Sequence, residues 1–222
     1  MCGRFTLHSS PRDIADLFGI DPAQLPELTP RYNISPTQAV AAVRLDDHGR
    51  RAFATLRWGL IPSWTKDHGI GNSLINARAD TVASKPAFRA PFRRRRCLVP
   101  ASGFYEWKAT GGKYKQPFHL RIVDGRPFAI AGLWERWAGA ESGAVETCAV
   151  LTTDANEVVR EVHNRMPVIL AQADFAAWLD PRTPAQELLP LLRPYPAEAM
   201  TASAVGRYVS NPRNEGPQCL AP

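Results

Sequence analysis

The order of apolar and polar positions predicts more strands than helices. Strands are predicted at residues 39–45, 51–60, 97–110, 113–123, 127–137, 146–153 and 168–170. Turn residues separate several of them, and Gly111–Gly112 predicts a hairpin between two of these strands. This pattern is typical of an α+β fold with a mainly antiparallel, curved or barrel-like β-sheet core flanked by short helices.

Short helices are predicted between these strands. Ser10 is a suitable N-cap for the first helix, and Gly19 ends it. Asp154 is predicted to cap another helix because Glu157 follows it by three residues, and His163 then lies at the C-terminal end of that helix. Further helices are predicted at residues 76–84, 173–179 and 184–192.

Composition places the chain among ordinary globular proteins. It has 222 residues, of which 45% are hydrophobic and 22% charged, which excludes disorder throughout. We expect one domain over residues 1–222. The longest apolar run, Phe128 to Trp134, is too short to cross a bilayer, and the first residues lack the apolar core of a signal peptide. We therefore expect a cytoplasmic monomer that does not contact a membrane.

The cysteine pattern gives little support to a metal site. Four cysteines are present, and none lies in a CxxC or CxxH pattern: Cys2, Cys97, Cys148 and Cys219. Disulfides are uncommon in intracellular proteins, so free thiols are expected. Common dinucleotide, P-loop and metalloprotease motifs are also missing from the sequence. We expect neither a metal nor a cofactor.

Positive charge is concentrated in one stretch of the chain. The net charge is 27 − 21 = +6, and residues 76–97, with seven cations and one anion, carry all of it. Arginine accounts for 22 of the 27 cations. Because the planar guanidinium suits phosphate and stacks on bases, nucleic acid is the natural partner. A solvated basic face is the alternative.

Cys2 offers a second kind of chemistry. If the initiator methionine is removed, Cys2 presents an α-amine beside a thiol. Both groups are partly nucleophilic near neutral pH, and with an aldehyde they form a Schiff base that closes to a durable thiazolidine ring. The alternative is an incidental residue at a frayed end. Gly3 permits close backbone approach and Arg4 is suited to phosphate, which favours the chemical interpretation.

Several segments together carry a family resemblance. They are residues 1–5 (MCGRF), 31–36 (RYNISP), 57–64 (RWGLIPSW), 76–81 (NARADT), 96–108 (RCLVPASGFYEWK), 131–134 (AGLW) and 163–167 (HNRMP). In this order they resemble the SOS response-associated peptidase (SRAP) family of abasic-site processing proteins. The resemblance covers positions 2 to about 180 and implies an SRAP-like fold. Asp80 departs from the glutamate that the family often has there.

The resemblance implies a covalent DNA-damage sensor. Its substrate would be an abasic site in single-stranded DNA, which carries an aldehyde when its sugar ring is open. Cys2 would cross-link to that aldehyde as a thiazolidine and protect the site during the DNA-damage or SOS response, in the cytoplasm and at the nucleoid of a bacterium. Autoproteolytic removal of Met1 and an abasic-site lyase side activity are further expectations.

The resemblance also implies roles for three more residues. Glu106 would move protons during Schiff-base formation and ring closure, although a surface glutamate on a strand is the alternative. His163 would help to open the deoxyribose ring, and its alternative is a histidine favoured by a helix C-terminus. Asn76 would hydrogen-bond the reacting centre, and it is also a suitable helix cap.

DNA-binding residues follow from the same motifs. The candidates for phosphate contacts are Arg4, Arg31, Arg78 and Arg165, and those for base stacking or wedging are Pro36, Trp64 and Trp107. A core position is an alternative for Trp107 and is favoured for Trp58 and Trp134. The run Arg93 to Arg96 either contacts flanking DNA or is solvated.

Three other functions compete with cross-linking. A cysteine peptidase acting in trans would use Cys2 with His163 and either Asn76 or Glu106. A non-catalytic single-strand binding module would bind DNA without Cys2. An abasic-site lyase would stop at the Schiff base and cut the strand.

Overall fold

The structure is a computed structural model that describes residues 2–140 and 143–222. The strands are β1 (Phe5–Leu7), β2 (Arg31–Ile34), β3 (Ala39–Leu45), β4 (Arg51–Trp58), β5 (Asn76–Arg78), β6 (Arg96–Ala101), β7 (Gly103–Lys108), β8 (Gln116–Ile122), β9 (Phe128–Ala140), β10 (Gly143–Asp154), β11 (Arg165–Pro167), β12 (Ile169–Leu170) and β13 (Met200–Ala204). The α-helices are α1 (Pro11–Phe18), α2 (Arg89–Arg94), α3 (Glu157–Arg160), α4 (Phe175–Leu179) and α5 (Ala185–Leu188). Short 3-10 helices are Pro22–Gln24, His68–Ser73, Gln172–Asp174, Leu189–Leu191, Ala197–Ala199, Arg207–Ser210 and Pro217–Leu220.

Five of these strands close into a barrel. β9 pairs with β10 and with β6, β6 pairs with β3, β3 with β4, and β4 with β10, which completes the ring. The β4–β10 pairing is parallel and the others are antiparallel. β5 and β11 extend the sheet from β10, and β12 extends it from β9. The predicted α+β fold with a mainly antiparallel, barrel-like core and short helices is confirmed.

A second sheet of five antiparallel strands has the order β13-β8-β7-β1-β2. The chain passes from the barrel to this sheet at Ser102, between β6 and β7. The Ser102 hydroxyl accepts hydrogen bonds from the backbone N–H groups of His8 and Ser9, both at 2.9 Å. The single strand predicted over residues 97–110 is therefore wrong, because the two halves of this segment belong to different sheets.

The helix predictions are confirmed in part. Ser10 caps α1 by accepting from the N–H of Asp13, and Gly19 ends it with φ of 61°. The cap predicted at Asp154 is wrong. Asp154 is the last residue of β10, and Asn156 caps α3 instead by accepting from the N–H of Val159 at 2.9 Å.

The helix predicted at residues 76–84 is also wrong. Asn76–Arg78 forms β5, in parallel register with β10, and turns follow it. A strand of three residues has too short a pattern to identify on its own, because its partner lies more than seventy residues further along the chain.

Apolar side chains form one large core and a smaller satellite. Trp58 is fully buried in the large core, as predicted, and Trp134 packs against it half-buried. The satellite joins the second sheet to the C-terminal residues and contains Tyr105, Val205, Val209, Cys219, Tyr32, Trp107 and Leu220. In the described ranges, no helix combines the length and apolar character needed to span a bilayer.

Candidate active site

The second sheet supplies two of the four predicted reactive residues. Cys2 lies just before β1, and Glu106 lies within β7, the strand that pairs with β1. The pairing continues beyond the end of β1, since the N–H of Tyr105 donates to the carbonyl of Arg4 at 2.9 Å. Antiparallel pairing therefore brings the start of the chain alongside the middle of β7. Met1 lies outside the described residues.

The other two predicted reactive residues, Asn76 and His163, lie on or next to strands that pair with β10 of the barrel. Asn76 begins β5 and pairs with Val150 of β10. His163 lies between α3 and β11, and β11 pairs with the other edge of β10. The site is thus assembled where the extended barrel sheet meets the start of β1.

Asn76 contacts the backbone of the candidate nucleophile. Its side-chain Nδ2 donates to the carbonyl of Cys2 at 2.9 Å. Its Oδ1 is buried and accepts no hydrogen bond from the described residues. Because buried polar atoms are rarely left without partners, this oxygen is available to a ligand donor next to Cys2.

Glu106 and His163 face each other across the site. Glu106 Oε2 lies 4.0 Å from His163 Nε2, and Glu106 is only 3% exposed. Burial raises the pKa of the Glu106 carboxyl above its ordinary value, and the nearby His163 partly opposes this shift. A carboxyl group with a raised pKa is suited to moving protons near neutral pH.

The other ring nitrogen of His163 is held by the backbone of Arg165. His163 Nδ1 lies 3.1 Å from the N–H and 3.2 Å from the carbonyl oxygen of that residue. The N–H can donate to a neutral ring, and the carbonyl can accept from a ring that carries a proton on Nδ1. The ring therefore keeps its orientation in both protonation states, as a proton-transfer group requires.

The Cys2 thiol is buried and uncharged at neutral pH. Burial, reinforced by the negative charge of Glu106, raises the pKa of the Cys2 thiol well above its ordinary value. Activated cysteine nucleophiles have lowered pKa values. The thiol of Cys2 therefore needs a base to accept its proton when it reacts.

No group of three or more histidine, cysteine, aspartate or glutamate side chains is placed to hold a metal ion in the described part of the chain. All four cysteines are free thiols.

Comparison with known proteins assigns the family. The family model described as SOS response associated peptidase (SRAP) matches residues 1–212. The chain belongs to the SRAP family. A curated SRAP relative, "Abasic site processing protein YoaM" of Bacillus subtilis (strain 168), is 43% identical over 99% of this chain and 97% of its own length. "Abasic site processing protein HMCES" of Pongo abelii is 32% identical over 100% of this chain and 76% of its own.

Solved structures share the SRAP fold of this chain. A protein from Bacteroides thetaiotaomicron superposes with a TM-score of 0.84 at 27% identity, covering 99% of this chain and 98% of that one. A protein from Bordetella bronchiseptica gives a TM-score of 0.79 at 28% identity, covering 92% and 100%. The fold implied by the sequence motifs is confirmed.

Two of the predicted phosphate contacts of this SRAP protein lie on either side of β10. Arg78 pairs with Thr152 in the sheet, and the Arg165 guanidinium donates to the carbonyl of Thr152 at 2.6 Å. Each has a carboxylate partner, Asp80 for Arg78 and Asp154 for Arg165. Both arginines are therefore near the reactive residues, since β5 begins with Asn76 and β11 follows His163.

The remaining predicted contacts are dispersed. Trp64 is 65% exposed, as a residue that stacks on bases requires. Arg31 donates to the carbonyl of Ala39 and to Gln38, and Pro36 is half-buried in the loop between β2 and β3. For Arg31 and Pro36, DNA contact stays a prediction.

The arginine run divides into two parts. Arg93 and Arg94 are exposed on α2. Arg95 forms an ion pair with Glu135 at 2.7 Å. Arg96 is buried, and its guanidinium donates to the carbonyls of Phe92, Trp178 and Asp180. Only the first part of the run is available to a partner, and the second part stabilises the fold.

Sequence reasoning missed the environment of Arg4. Its Nη1 donates to Asn33 Oδ1 at 2.6 Å and to the carbonyl of Val209 at 2.8 Å, and its guanidinium lies 5.5 Å from the centre of the half-buried Trp107 ring. The only signal in the sequence is a polar Asn33 among apolar neighbours in the segment RYNISP. DNA contact by Arg4 and Trp107 stays a prediction.

Proposed function

We propose that this SRAP protein recognises abasic sites in single-stranded DNA and cross-links to their ring-opened aldehyde through Cys2. The observation that carries the proposal is the hydrogen bond from Asn76 to the backbone of Cys2, in a site where Glu106 and His163 lie 4.0 Å apart. The relatives are named abasic site processing proteins, and such a site is the aldehyde-bearing substrate that an amine and a thiol together can capture.

The first step uses the α-amine of Cys2 after removal of Met1. The amine attacks C1′ of the aldehyde to give a carbinolamine, which loses one water molecule to form a Schiff base. Glu106 in its acid form supplies the proton that the departing hydroxyl needs. The raised pKa of Glu106 keeps a useful fraction of this acid form near neutral pH.

The second step closes the ring. Dehydration with the Glu106 proton leaves a protonated Schiff base. The Cys2 sulfur adds to its carbon, the thiol proton passes to the Glu106 carboxylate, and the electron pair of the C=N bond moves to the nitrogen, which becomes a neutral amine in the ring. A base is required because the pKa of the Cys2 thiol is raised. Glu106 is the proposed base, since its negative charge adds to the effect of burial in raising the pKa of the Cys2 thiol.

His163 and Asn76 act on the sugar. The closed sugar must lose its hydroxyl proton and gain one on the ring oxygen before an aldehyde is exposed. His163 suits this exchange because the backbone of Arg165 holds its ring in either protonation state. The free Oδ1 of Asn76 accepts a hydrogen bond from a sugar hydroxyl next to Cys2.

DNA binds across the surface that carries Arg78 and Arg165, with Trp64 stacking on a base. Aromatic–base stacking contributes about 1–3 kcal/mol without sequence preference, which suits a protein whose target has lost its base. Arg4, Arg31, Pro36 and Trp107 are the remaining proposed contacts.

A peptidase acting in trans is less well supported. A cysteine peptidase uses a thiolate activated by histidine, whereas burial raises the pKa of the Cys2 thiol. Removal of Met1, by the protein itself or by an aminopeptidase, is compatible with cross-linking and exposes its nucleophile. A lyase would share the Schiff base and differ only in its fate.

The test is a denaturing gel with single-stranded DNA that carries one abasic site. Mass spectrometry first establishes that the protein begins with Cys2. We expect a heat-stable and SDS-stable protein–DNA band. No band is expected with Cys2→Ala, with intact DNA, or with an abasic site reduced to the alcohol, which has the same shape and no aldehyde.

Other outcomes identify the competing functions. Strand cleavage without a stable band indicates a lyase. Binding that survives Cys2→Ala and is fully reversed by denaturant indicates a binding module. Cleavage of peptides without DNA indicates a peptidase. A wild-type protein with a free Cys2 terminus that forms no stable band with the abasic DNA would overturn the cross-linking proposal.

A further inference from the structure

We propose that Asn33 and the C-terminal brace, defined as residues 205–222, position the two reactive residues of the site, a proposal that rests on the cross-linking function above. The brace lies beyond the sequence motifs, the last of which ends at residue 167, and it packs on the second sheet through the satellite cluster. Asn33, Tyr105 and Trp107 are among its contact residues on the sheet.

Asn33 is the centre of the contact. It is only 1% exposed, and its Nδ2 donates toward the carbonyls of three residues of the brace, Val209, Asn211 and Asn214, at 3.2, 3.0 and 2.8 Å. Its Oδ1 accepts from Arg4 Nη1 at 2.6 Å. One buried amide therefore joins the brace to the residue that lies two positions after Cys2.

Arg4 is fixed from three sides. Its Nη1 is shared by Asn33 and the carbonyl of Val209, and its guanidinium lies 5.5 Å from the centre of the Trp107 ring. The carbonyl of Arg4 accepts the N–H of Tyr105 at 2.9 Å. Movement of Arg4 therefore displaces the backbone that carries Cys2, two residues earlier.

The brace also contacts both neighbours of Glu106. The Tyr105 hydroxyl lies 2.9 Å from the carbonyl oxygen of Tyr32 and 3.5 Å from that of Cys219 in the brace, and Trp107 Nε1 donates to Ser210 Oγ at 3.1 Å. Alternation along β7 points Glu106 to the opposite face of the sheet from these two side chains. The face of β7 behind Glu106 is thus anchored, while its carboxyl group lies in the site.

Loss of the brace contacts is expected to lower the rate of cross-linking more than the affinity for DNA. Amine, aldehyde and proton donor must lie within about 3–3.5 Å of one another, and a displacement of about 1 Å costs up to about 100-fold in rate. Residues 2–4 precede the first strand, so β1 alone does not fix them. The brace adds a restraint to the hydrogen bonds that Asn76 and Tyr105 donate to the carbonyls of Cys2 and Arg4.

The test compares single-turnover cross-linking by the full chain and by two variants. For Asn33→Ala we expect the maximal rate constant at saturating abasic DNA to fall about tenfold, with half-saturation changed less than about threefold. For Tyr105→Phe, which keeps the ring and removes the hydroxyl that reaches the carbonyl oxygens of Tyr32 and of Cys219 in the brace, we expect about a threefold fall. Gln116→Ala is the control, because Gln116 donates to the carbonyl of Val205 at 2.8 Å and contacts the brace away from Arg4.

The rate constant separates positioning from general stability. A purely structural role would lower the melting temperature and the fraction of protein that reacts, while the folded fraction reacts at the wild-type rate. Unchanged rate constants in both Asn33→Ala and Tyr105→Phe would overturn the proposal.

Hydrogen exchange of the free protein tests the brace without any cross-linking. We expect faster amide exchange in the peptides covering residues 2–8 and 103–108 for Asn33→Ala, and no change there for Gln116→Ala. Unchanged exchange in Asn33→Ala would overturn the proposal, even if the wild-type protein forms the cross-link. A wild-type protein that forms no cross-link would instead overturn the proposed function.

Discussion

Glu106 occupies a buried position in which its proposed catalytic role conflicts with folding stability. Burial raises the pKa of its carboxyl in the folded protein, so the unfolded chain loses this proton at a lower pH. The contribution of this carboxyl to folding stability is fully present below its ordinary pKa, and it is lost as the pH rises through the raised pKa. At neutral pH the protein is thus less stable than a variant with a neutral group at this position.

Glu106→Gln removes the charge and keeps the shape of the side chain. We expect the cross-linking rate to fall about 100-fold, because no group then moves protons during the condensation. We also expect the melting temperature to equal that of the wild type near about pH 4 and to exceed it near about pH 8. Glu161→Gln, at an exposed position, is the matched control and should change neither property. Equal melting temperatures of the wild type and Glu106→Gln at both pH values would show that burial imposes no penalty on this carboxylate.

Candidate reactive residues were easier to identify from the sequence than their contacts. Side-chain type and recognisable motifs indicated Cys2, Glu106 and His163, whose reactivity stays a prediction. The pKa of Glu106 depends on burial and on His163, which lies 57 positions further along the chain. The apolar neighbours of Asn33 in RYNISP do not identify its partners, which are Arg4 and residues near the end of the chain.

At the scale of elements, the junction of β7 with β8 is closely packed beside the site. A Cβ atom on Gly103 would lie 2.1 Å from His119 Nε2 and 2.9 Å from the carbonyl oxygen of Leu120. The His119 ring is itself buried and lies 3.4 Å from the hydroxyl of Thr6 on β1. The absence of a side chain at position 103 is what lets β7 approach both neighbouring strands.

Gly103→Ala is therefore expected to lower the free energy of unfolding by about 1–3 kcal/mol. Urea denaturation measures this change. Gly112→Ala in the hairpin loop is the control, because its nearest contact would be Thr110 Oγ1 at 3.8 Å, and its effect should stay within about 0.5 kcal/mol. Equal effects of the two substitutions would mean that the space around Gly103 adapts without cost.

Pairings between strands that are adjacent in sequence were predicted correctly, whereas a pairing between distant strands was missed. The β3–β4 hairpin and the β7–β8 hairpin were predicted because each is a local pattern joined by a short turn. β5 was misread as a helix because only its pairing with β10 makes it a strand. The separation of β6 from β7 at Ser102 was also missed, since both strands are apolar and continuous in sequence.

For the whole molecule, the net charge of +6 overstates the charge available to DNA. In the stretch 76–97 that carries the excess, Arg95 is paired with Glu135 and Arg96 is buried against carbonyl groups. Arg78 is different, because it is 59% exposed and its partner Asp80 is itself exposed at the surface. An exposed pair contributes little to stability, so Arg78 can exchange its carboxylate for a phosphate at small cost.

The salt dependence of DNA binding tests this distinction. Each phosphate contact on single-stranded DNA contributes a slope of about −0.7 to the plot of log affinity against log salt concentration. We expect Arg78→Ala to make the measured slope less steep by about 0.7 and to weaken binding to all sequences alike. Arg126→Ala is the matched control, since Arg126 is 70% exposed, pairs with Asp124 and lies outside the proposed surface. An equal change of slope in the two variants would mean that Arg78 acts through the general charge of the protein, whereas a change confined to Arg78→Ala places a phosphate beside β5 and the reactive Cys2.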